Sequence, residues 1–286
     1  MAGSPKIVKA SGEKVPFSAV KLKKSLMHSG APVDLVNTIV QKVTEEVYEG
    51  MPTRDIYKRA FALLKGNQAT FASRYKLKQA IYELGPTGFP FERFISAVLN
   101  HSGFQTKSNQ RYRGKCVSHE IDVVATNREG TRLIECKYHS DPGKKCDVKV
   151  PLYIHSRFED VLQNGAQQTG NHSQFKPGWV VTNTRFTGDA EKYGNCVGLY
   201  LLSWNYPPEN SLKKRIDRSG LYPITVSPLL SAKEKQLLLE QGPVLCREVL
   251  KKPHLLDRIG ISKSRKNRIL KEFGQLCVVN ASSWGV

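Results

Sequence analysis

The sequence predicts a multi-domain α/β protein: a mostly helical N-terminal segment at residues 1–86, a central α/β sheet at 87–205 and a basic helical C-terminal region at 206–286. Three observations carry this. A chain of 286 residues exceeds the usual size of one domain. Apolar residues recur at helical spacing through the first segment, whereas strand-like alternation is concentrated in the middle. The 44 basic and 25 acidic residues, net +19, also divide unevenly. Residues 1–86 hold 14 basic and 7 acidic residues, 87–210 hold 15 and 12, and 211–286 hold 15 and 6, so the ends are basic and the middle is near balance.

The first segment opens on "KIVKASGEKVPF", two short β runs around Gly12. Helical patterns follow in "SAVKLKKSLMHSGA", "VDLVNTIVQKVTEEVYEG", "TRDIYKRAFALLK" and "ATFASRYKLKQAIYELG". In the second, Val36, Ile39, Val40, Val43 and Val47 recur on one helical face. Thr53 is read as the N-cap of the third, and "LGPTGFP" ends the segment because Gly and Pro break a helix. The middle segment opens with "FPFERFISAVLNHSGF", whose Phe91, Phe94, Ile95, Val98 and Leu99 form an apolar helical stripe. A charged hairpin, "HEIDVVATNREGTRLIECKYH", comes next, and "GWVVTNTRFTGDAEKYGNCVGLYLLSW" reads as strand, short helix, strand. The third segment reads as short helices broken at Gly242-Pro243, at Pro253 and at "IGIS", with Ile261, Ile269, Leu270 and Phe273 as core candidates.

A net charge of +19 creates a field that attracts phosphate polymers, so nucleic acid is the first partner to consider; general solubility or an anionic membrane surface are the alternatives. No stretch is apolar for long enough to cross a membrane, and "MAGSPKIVKASGEK" lacks the apolar core of a signal peptide, so a cytoplasmic protein with no membrane partner is expected. Cys116, Cys136, Cys146, Cys196, Cys246 and Cys277 form no CxxC pair, which argues against zinc and leaves them as small core or surface residues.

The hairpin carries the chemistry. Strand side chains alternate faces, so Glu120, Asp122 and Val124 share one side of the first strand, opposite Ile121 and Val123. Leu133, Glu135 and Lys137 share one side of the second, opposite Ile134 and Cys136. A four-residue loop at 127–130 pairs Thr126 with Thr131 and sets Asp122 against Glu135 and Glu120 against Lys137; a three-residue loop would set Asp122 against Cys136. Facing carboxylates require a cation between them or a raised pKa. An all-oxygen pair selects Mg²⁺ or Mn²⁺ and leaves room for phosphate oxygens, and Lys137 can stabilise a hydroxide and the charge developing on phosphorus. The alternative is a half-buried strand pair with ordinary cross-strand ion pairs. Glu120 is open between a second ligand and an edge residue. Gln163, Gln167 and Gln168 are read as a polar helix face more readily than as a substrate contact, and no second His stands four residues after His119, which excludes a zinc-protease motif.

"EIDVVA" followed after a turn by "IECK" resembles the hairpin of the PD-(D/E)XK nuclease superfamily. The closest likeness is to its Mrr-like restriction endonuclease branch, which adds "GxxFExxxxxxLxxxGF" before the hairpin and "VVTxxxFTxxAxxYG" after it, at residues 88–104 and 180–194 here. The literal Pro-Asp of the superfamily name is absent. The resemblance implies a restriction-endonuclease-like sheet, with Asp122 and Glu135 as metal ligands, Lys137 as the catalytic lysine and Glu92 as an additional helix carboxylate. Glu92 lies beside the apolar stripe and reads equally as a solvated first-turn acid.

Residues 5–86 carry "VKxxGxxVxFxxxKLxxSL", "GMPTRDIY" and "RYxLKxAIxxLG", which resemble the ATP-cone, a nucleotide-sensing domain. This implies that Lys9, Lys21, Thr53 and Tyr57 line a pocket for ATP or dATP; Ala10 stands where that family usually has a second basic residue. Apart from the resemblance, the segment reads as a basic helical bundle with solvated lysines. Near the C-terminus, "LLDRIGISKSRKNRILKEF" loosely resembles a helix-hairpin-helix and makes Lys263, Arg265, Lys266 and Arg268, with Lys271, candidates for DNA binding; a solvated charged face is the equal alternative. The combined expectation is a Mg²⁺- or Mn²⁺-dependent endodeoxyribonuclease of restriction or defence type, regulated by ATP or dATP and homo-oligomeric. A structure-specific repair or junction nuclease, and a non-catalytic nucleotide-responsive DNA-binding protein, are the alternatives.

Overall fold

The computed structural model describes residues 4–9, 11–169 and 175–278, the side chains of 165–169 excepted. The N-terminal unit begins with strand β1 (Lys6–Val8) antiparallel to β2 (Lys14–Pro16), Ile7 opposite Val15. Helices α1 (Ala19–Met27), α2 (Val33–Glu46), α3 (Thr53–Asn67) and α4 (Ala69–Tyr82) follow. Ser18 caps α1 by accepting the Lys21 N–H at 3.3 Å. Thr53 is the first residue of α3 and not its cap; Pro52 precedes it, and its fixed φ of −64° suits the entry to a helix. Val36, Ile39 and Val43 are buried as their spacing requires, in a core shared with Phe17, Leu26, Ile56 and Leu64.

The central unit is a five-stranded mixed sheet, ordered β3 (Gln105–Arg113), β4 (Ser118–Asn127), β5 (Gly130–Lys137), β6 (Trp179–Thr182), β7 (Tyr200–Leu202). The β3–β4–β5 pairs are antiparallel and the β5–β6–β7 pairs parallel. Helix α5 (Phe89–His101) buries its whole stripe against one face, where Val123, Ala125, Ile134, Cys136 and Val181 meet it. Helices α6 (Lys149–Thr169) and α7 (Gly188–Cys196) lie with the opposite face, where Ile154, Phe158 and Ala190 pack with Val124, Leu133 and Val180. β3 escapes a hydrophobic reading because "QTKSNQRYR" has no aliphatic residue; as an edge strand it needs none.

The hairpin keeps the expected register with two corrections. The turn is only Arg128–Glu129, because Asn127 pairs with Gly130; the Asn127 side chain accepts the Glu129 N–H at 3.0 Å, and Gly130 takes a φ of 137° that suits glycine. The loop stays even, so Thr126 still faces Thr131. The second correction concerns parity. The β4–β5 pairing stops at Val123 opposite Ile134, and Ile121 packs with Val124 on the α6 side instead of with Val123. The backbone reverses its alternation at Asp122. Two local features explain it: Asn109, the gap in the β3–β4 pairing, has a φ of 52°, and the Asp122 carboxylate accepts the Cys136 N–H at 2.7 Å in place of a main-chain rung. The expected Asp122–Glu135 and Glu120–Lys137 cross-strand pairs are therefore both outside the ladder.

Helices α8 (Leu212–Ser219), α9 (Ala232–Glu240), α10 (Cys246–Lys251), α11 (His254–Arg258) and α12 (Lys263–Cys277) complete the chain, broken where Gly and Pro require. Ile216, Ile269, Phe273 and Leu276 continue the core on the α5 side of the sheet, and Leu77, Ala80, Ile81 and Leu84 of α4 and its C-terminal end enter the same core. Among the described residues, no helix is long and apolar enough to cross a membrane. All six cysteines are free thiols.

Candidate active site

The site forms where the sheet changes from antiparallel to parallel. β5 contributes Glu135 and Lys137, two residues apart and thus on one face. Glu135 is 4% exposed, so its charge is buried. Such burial requires strong partners, and Glu135 has two. Lys137 Nζ lies 2.6 Å from Oε1 and Arg157 Nη1 2.7 Å from Oε2. Arg157 projects from α6, also donates to the Glu120 carbonyl, and lies over the exposed Tyr153 ring, 5.5 Å from its centroid.

Asp122 sits beside this group through its bond to Cys136 N–H. Burial and then the Glu135 charge push its pKa up to about 6, against the pull of that N–H, Lys137 and Arg157. Glu92, in the first turn of α5, belongs to the same field. Burial, followed by the charges of Asp122, Glu135 and Glu120, raises it to about 7, with Lys137 opposing. The structure thus brings together Asp122, Glu135, Lys137 and Glu92, and adds Arg157 and Tyr153. No sequence pattern marks Arg157: "IHSRFEDVLQ" reads as an ordinary amphipathic helix, and only packing of α6 on the sheet delivers its guanidinium to Glu135. Gln163 is exposed on α6; the side chains of Gln167 and Gln168 lie outside the described ones.

Among the described residues, no group of three or more His, Cys, Asp or Glu side chains is arranged to hold a metal ion. The donor set is therefore a carboxylate pair, Asp122 and Glu135, which suits an octahedral ion that keeps several waters and needs one or two protein oxygens. A cation there would compete with Lys137 and Arg157 for Glu135. His119 is directed elsewhere, to Asp160 at 2.8 Å, and that carboxylate also accepts the Cys116 and Val117 N–H groups, which fixes the β3–β4 turn.

The other candidates are scattered. Lys9, exposed, pairs with Glu13 at 2.9 Å. Its neighbour Val8 bridges to Pro52, which places Lys9 near Thr53 at the start of α3. Lys21 is exposed in the first turn of α1. Tyr57 stacks on Tyr75 at 5.1 Å, and its buried hydroxyl has no hydrogen-bond partner; burial raises its pKa well above the ordinary phenol value. In α12, Arg265 grips Glu234 with both terminal nitrogens, at 2.6 and 2.9 Å, and Lys266 pairs with Asp257 at 2.5 Å, while Lys263 and Arg268 are exposed.

The fold and site define a mixed α/β protein with a carboxylate-lysine cluster on its hairpin. A family model described as "AF1548-like, C-terminal" matches residues 222–277. An uncharacterized protein of Archaeoglobus fulgidus is 36% identical over 183 residues, 62% of this chain and 97% of that protein. The solved "Crystal Structure of Protein of Unknown Function AF1548" is similar at 32% identity with a TM-score of 0.54, covering 67% of this chain and 98% of its own. The chain belongs to the AF1548-like family.

Proposed function

We propose that this chain is a divalent-metal-dependent endodeoxyribonuclease of the PD-(D/E)XK type, with a nucleotide-responsive N-terminal unit. The observation that carries the reading is the convergence of Asp122, Glu135, Lys137 and Glu92, which stand on three separate elements, in one field of perturbed carboxylates. Asp122 and Glu135 would hold Mg²⁺ or Mn²⁺. When bound, that ion supplies charge neutralisation at phosphate oxygens and acidifies a water. Lys137, released in part from Glu135, faces the phosphate as a cation. Glu92, with its pKa near 7, holds or accepts a proton at neutral pH as a base must. Tyr153, 62% exposed beside Arg157, offers a ring against which a base can stack.

In this reading the basic surface, net +19 over the chain, draws DNA to the site. ATP or dATP binds through Lys9, Lys21 and the start of α3 near Thr53, with Tyr57 beneath, and changes a homo-oligomeric assembly. The protein works in the cytoplasm. The experiment is a cleavage panel on plain, modified and branched duplexes with Mg²⁺, Mn²⁺ or chelator, each with and without ATP and dATP. Metal-dependent cleavage lost in Asp122→Ala and Lys137→Ala supports the nuclease. A preference for branched DNA assigns it to repair or junction processing. Wild-type protein that binds DNA but cleaves none of these substrates overturns the enzyme, and then the full pairing of Glu135 by Lys137 and Arg157 is a structural ion-pair network.

A further inference from the structure

A second polar centre lies away from the hairpin, in a cleft of about 480 Å³ between the N-terminal helices and α9. Phe61 and Lys65 of α3, Lys76 of α4 and Glu83 just beyond it form one wall; Lys235 and Gln236 of α9 form the other. Glu83 receives Lys76 at 2.7 Å and Lys235 at 3.1 Å, so two ammonium groups share one carboxylate and Lys65 adds a third positive charge at the rim. The nearby Glu272 offers little compensation: its carboxyl is bonded to the Ser73 and Ser227 hydroxyls, and burial raises its pKa. Lys235 is only 7% exposed, and burial, then the charge of Lys76, lowers its pKa to about 8. An excess of buried positive charge beside an open cavity is costly unless an anion completes it.

We propose that this cleft binds a small phosphate-bearing anion, with Lys76 and Lys235 gripping it from opposite walls and Lys65 closing the rim, so that the ligand ties α3 and α4 to the C-terminal helices. Compact ammonium groups suit phosphate oxygens. Its lysines are distinct from the residues at the start of α3: Lys65 lies twelve residues beyond Thr53, about 18 Å along the helix at 1.5 Å per residue, and Tyr57, between them, stacks on Phe61 of the cleft wall at 6.2 Å.

The test is calorimetric titration of the full chain at constant ionic strength with inorganic pyrophosphate and, separately, with AMP. Saturable binding of pyrophosphate alone assigns an inorganic anion; binding of AMP as well assigns a phosphomonoester. Lys235→Met should weaken binding by about tenfold or more, the loss of one desolvated charge contact, and should still fold because Lys76 continues to pair Glu83. Lys65→Met, a substitution on an exposed side chain, should weaken it about threefold, and Lys192→Met, on the exposed face of α7, should leave it unchanged. Absence of saturable binding to wild type, wild-type affinity in both Lys235→Met and Lys65→Met, or loss of binding in Lys192→Met overturns the site.

Discussion

Glu135 and Glu272 are buried to nearly the same degree, 4% and 3% exposed, yet they are satisfied by opposite means. Glu135 takes two cations, Lys137 and Arg157. Glu272 takes two hydroxyls, from Ser73 of α4 and Ser227, and burial raises its pKa against the pull of those hydroxyls. Burial of a carboxyl therefore does not by itself mark a functional site. A cationic shell, next to a second carboxylate with a raised pKa, holds negative charge available for exchange with a metal or a phosphate. A hydroxyl shell ties α4 to the C-terminal helices and offers nothing to trade.

The largest expected effect breaks the chemistry of the first glutamate. In the proposed nuclease, Asp122→Ala or Lys137→Ala lowers the cleavage rate by about 10³-fold or more, measured in single turnover with Mg²⁺, with the far-ultraviolet circular dichroism unchanged. Next is the energetic contrast. Glu135→Gln strands two cations and should cost about 3 kcal/mol in chemical denaturation without metal, whereas Glu272→Gln retains a hydrogen-bonding partner for both serines and should cost about 1 kcal/mol. Equal losses would remove the distinction between the two shells. Arg157→Met, which leaves Lys137 on Glu135, should fall between them at about 2 kcal/mol.

The smallest effect is a pH dependence. Asp122 and Glu92 have folded pKa values raised to about 6 and about 7 from 3.8 and 4.5, so the folded chain binds more protons than the unfolded one between those limits. Their contribution to stability is present at acid pH and lost as pH rises through about 6 to 7. Glu92→Gln should flatten the fall in melting temperature from pH 5 to pH 8, raising stability at the upper end; a parallel curve for the variant would remove Glu92 from the cluster. Divalent-cation affinity should rise over the same interval, because protons and cation compete for the carboxylates.

Much of this was legible in the chain. The α5 stripe, the even hairpin loop, the strand–helix–strand run at 179–202 and the helix breaks at Pro243 and Pro253 follow from local periodicity and turn chemistry. β3 was not legible, since a polar edge strand owes its existence to β4. The basic run of α12 read as one surface, but Arg265 and Lys266 are drawn into ion pairs with Glu234 and Asp257, partners 31 and 9 residues away.

The sequence by itself determined the grouping of Glu135 and Lys137, through a strand's period of two, and, given an even turn, the register from Asn127 to Val123. Only the tertiary structure decided that β4 reverses its alternation at Asp122, that Arg157 and Glu92 arrive from two helices on opposite faces of the sheet, and that Lys76 and Lys235 converge on Glu83. The physical reason is range. Alternation and turn geometry act over a few residues, whereas charge is balanced among whichever side chains the packing of apolar faces brings within a few ångströms.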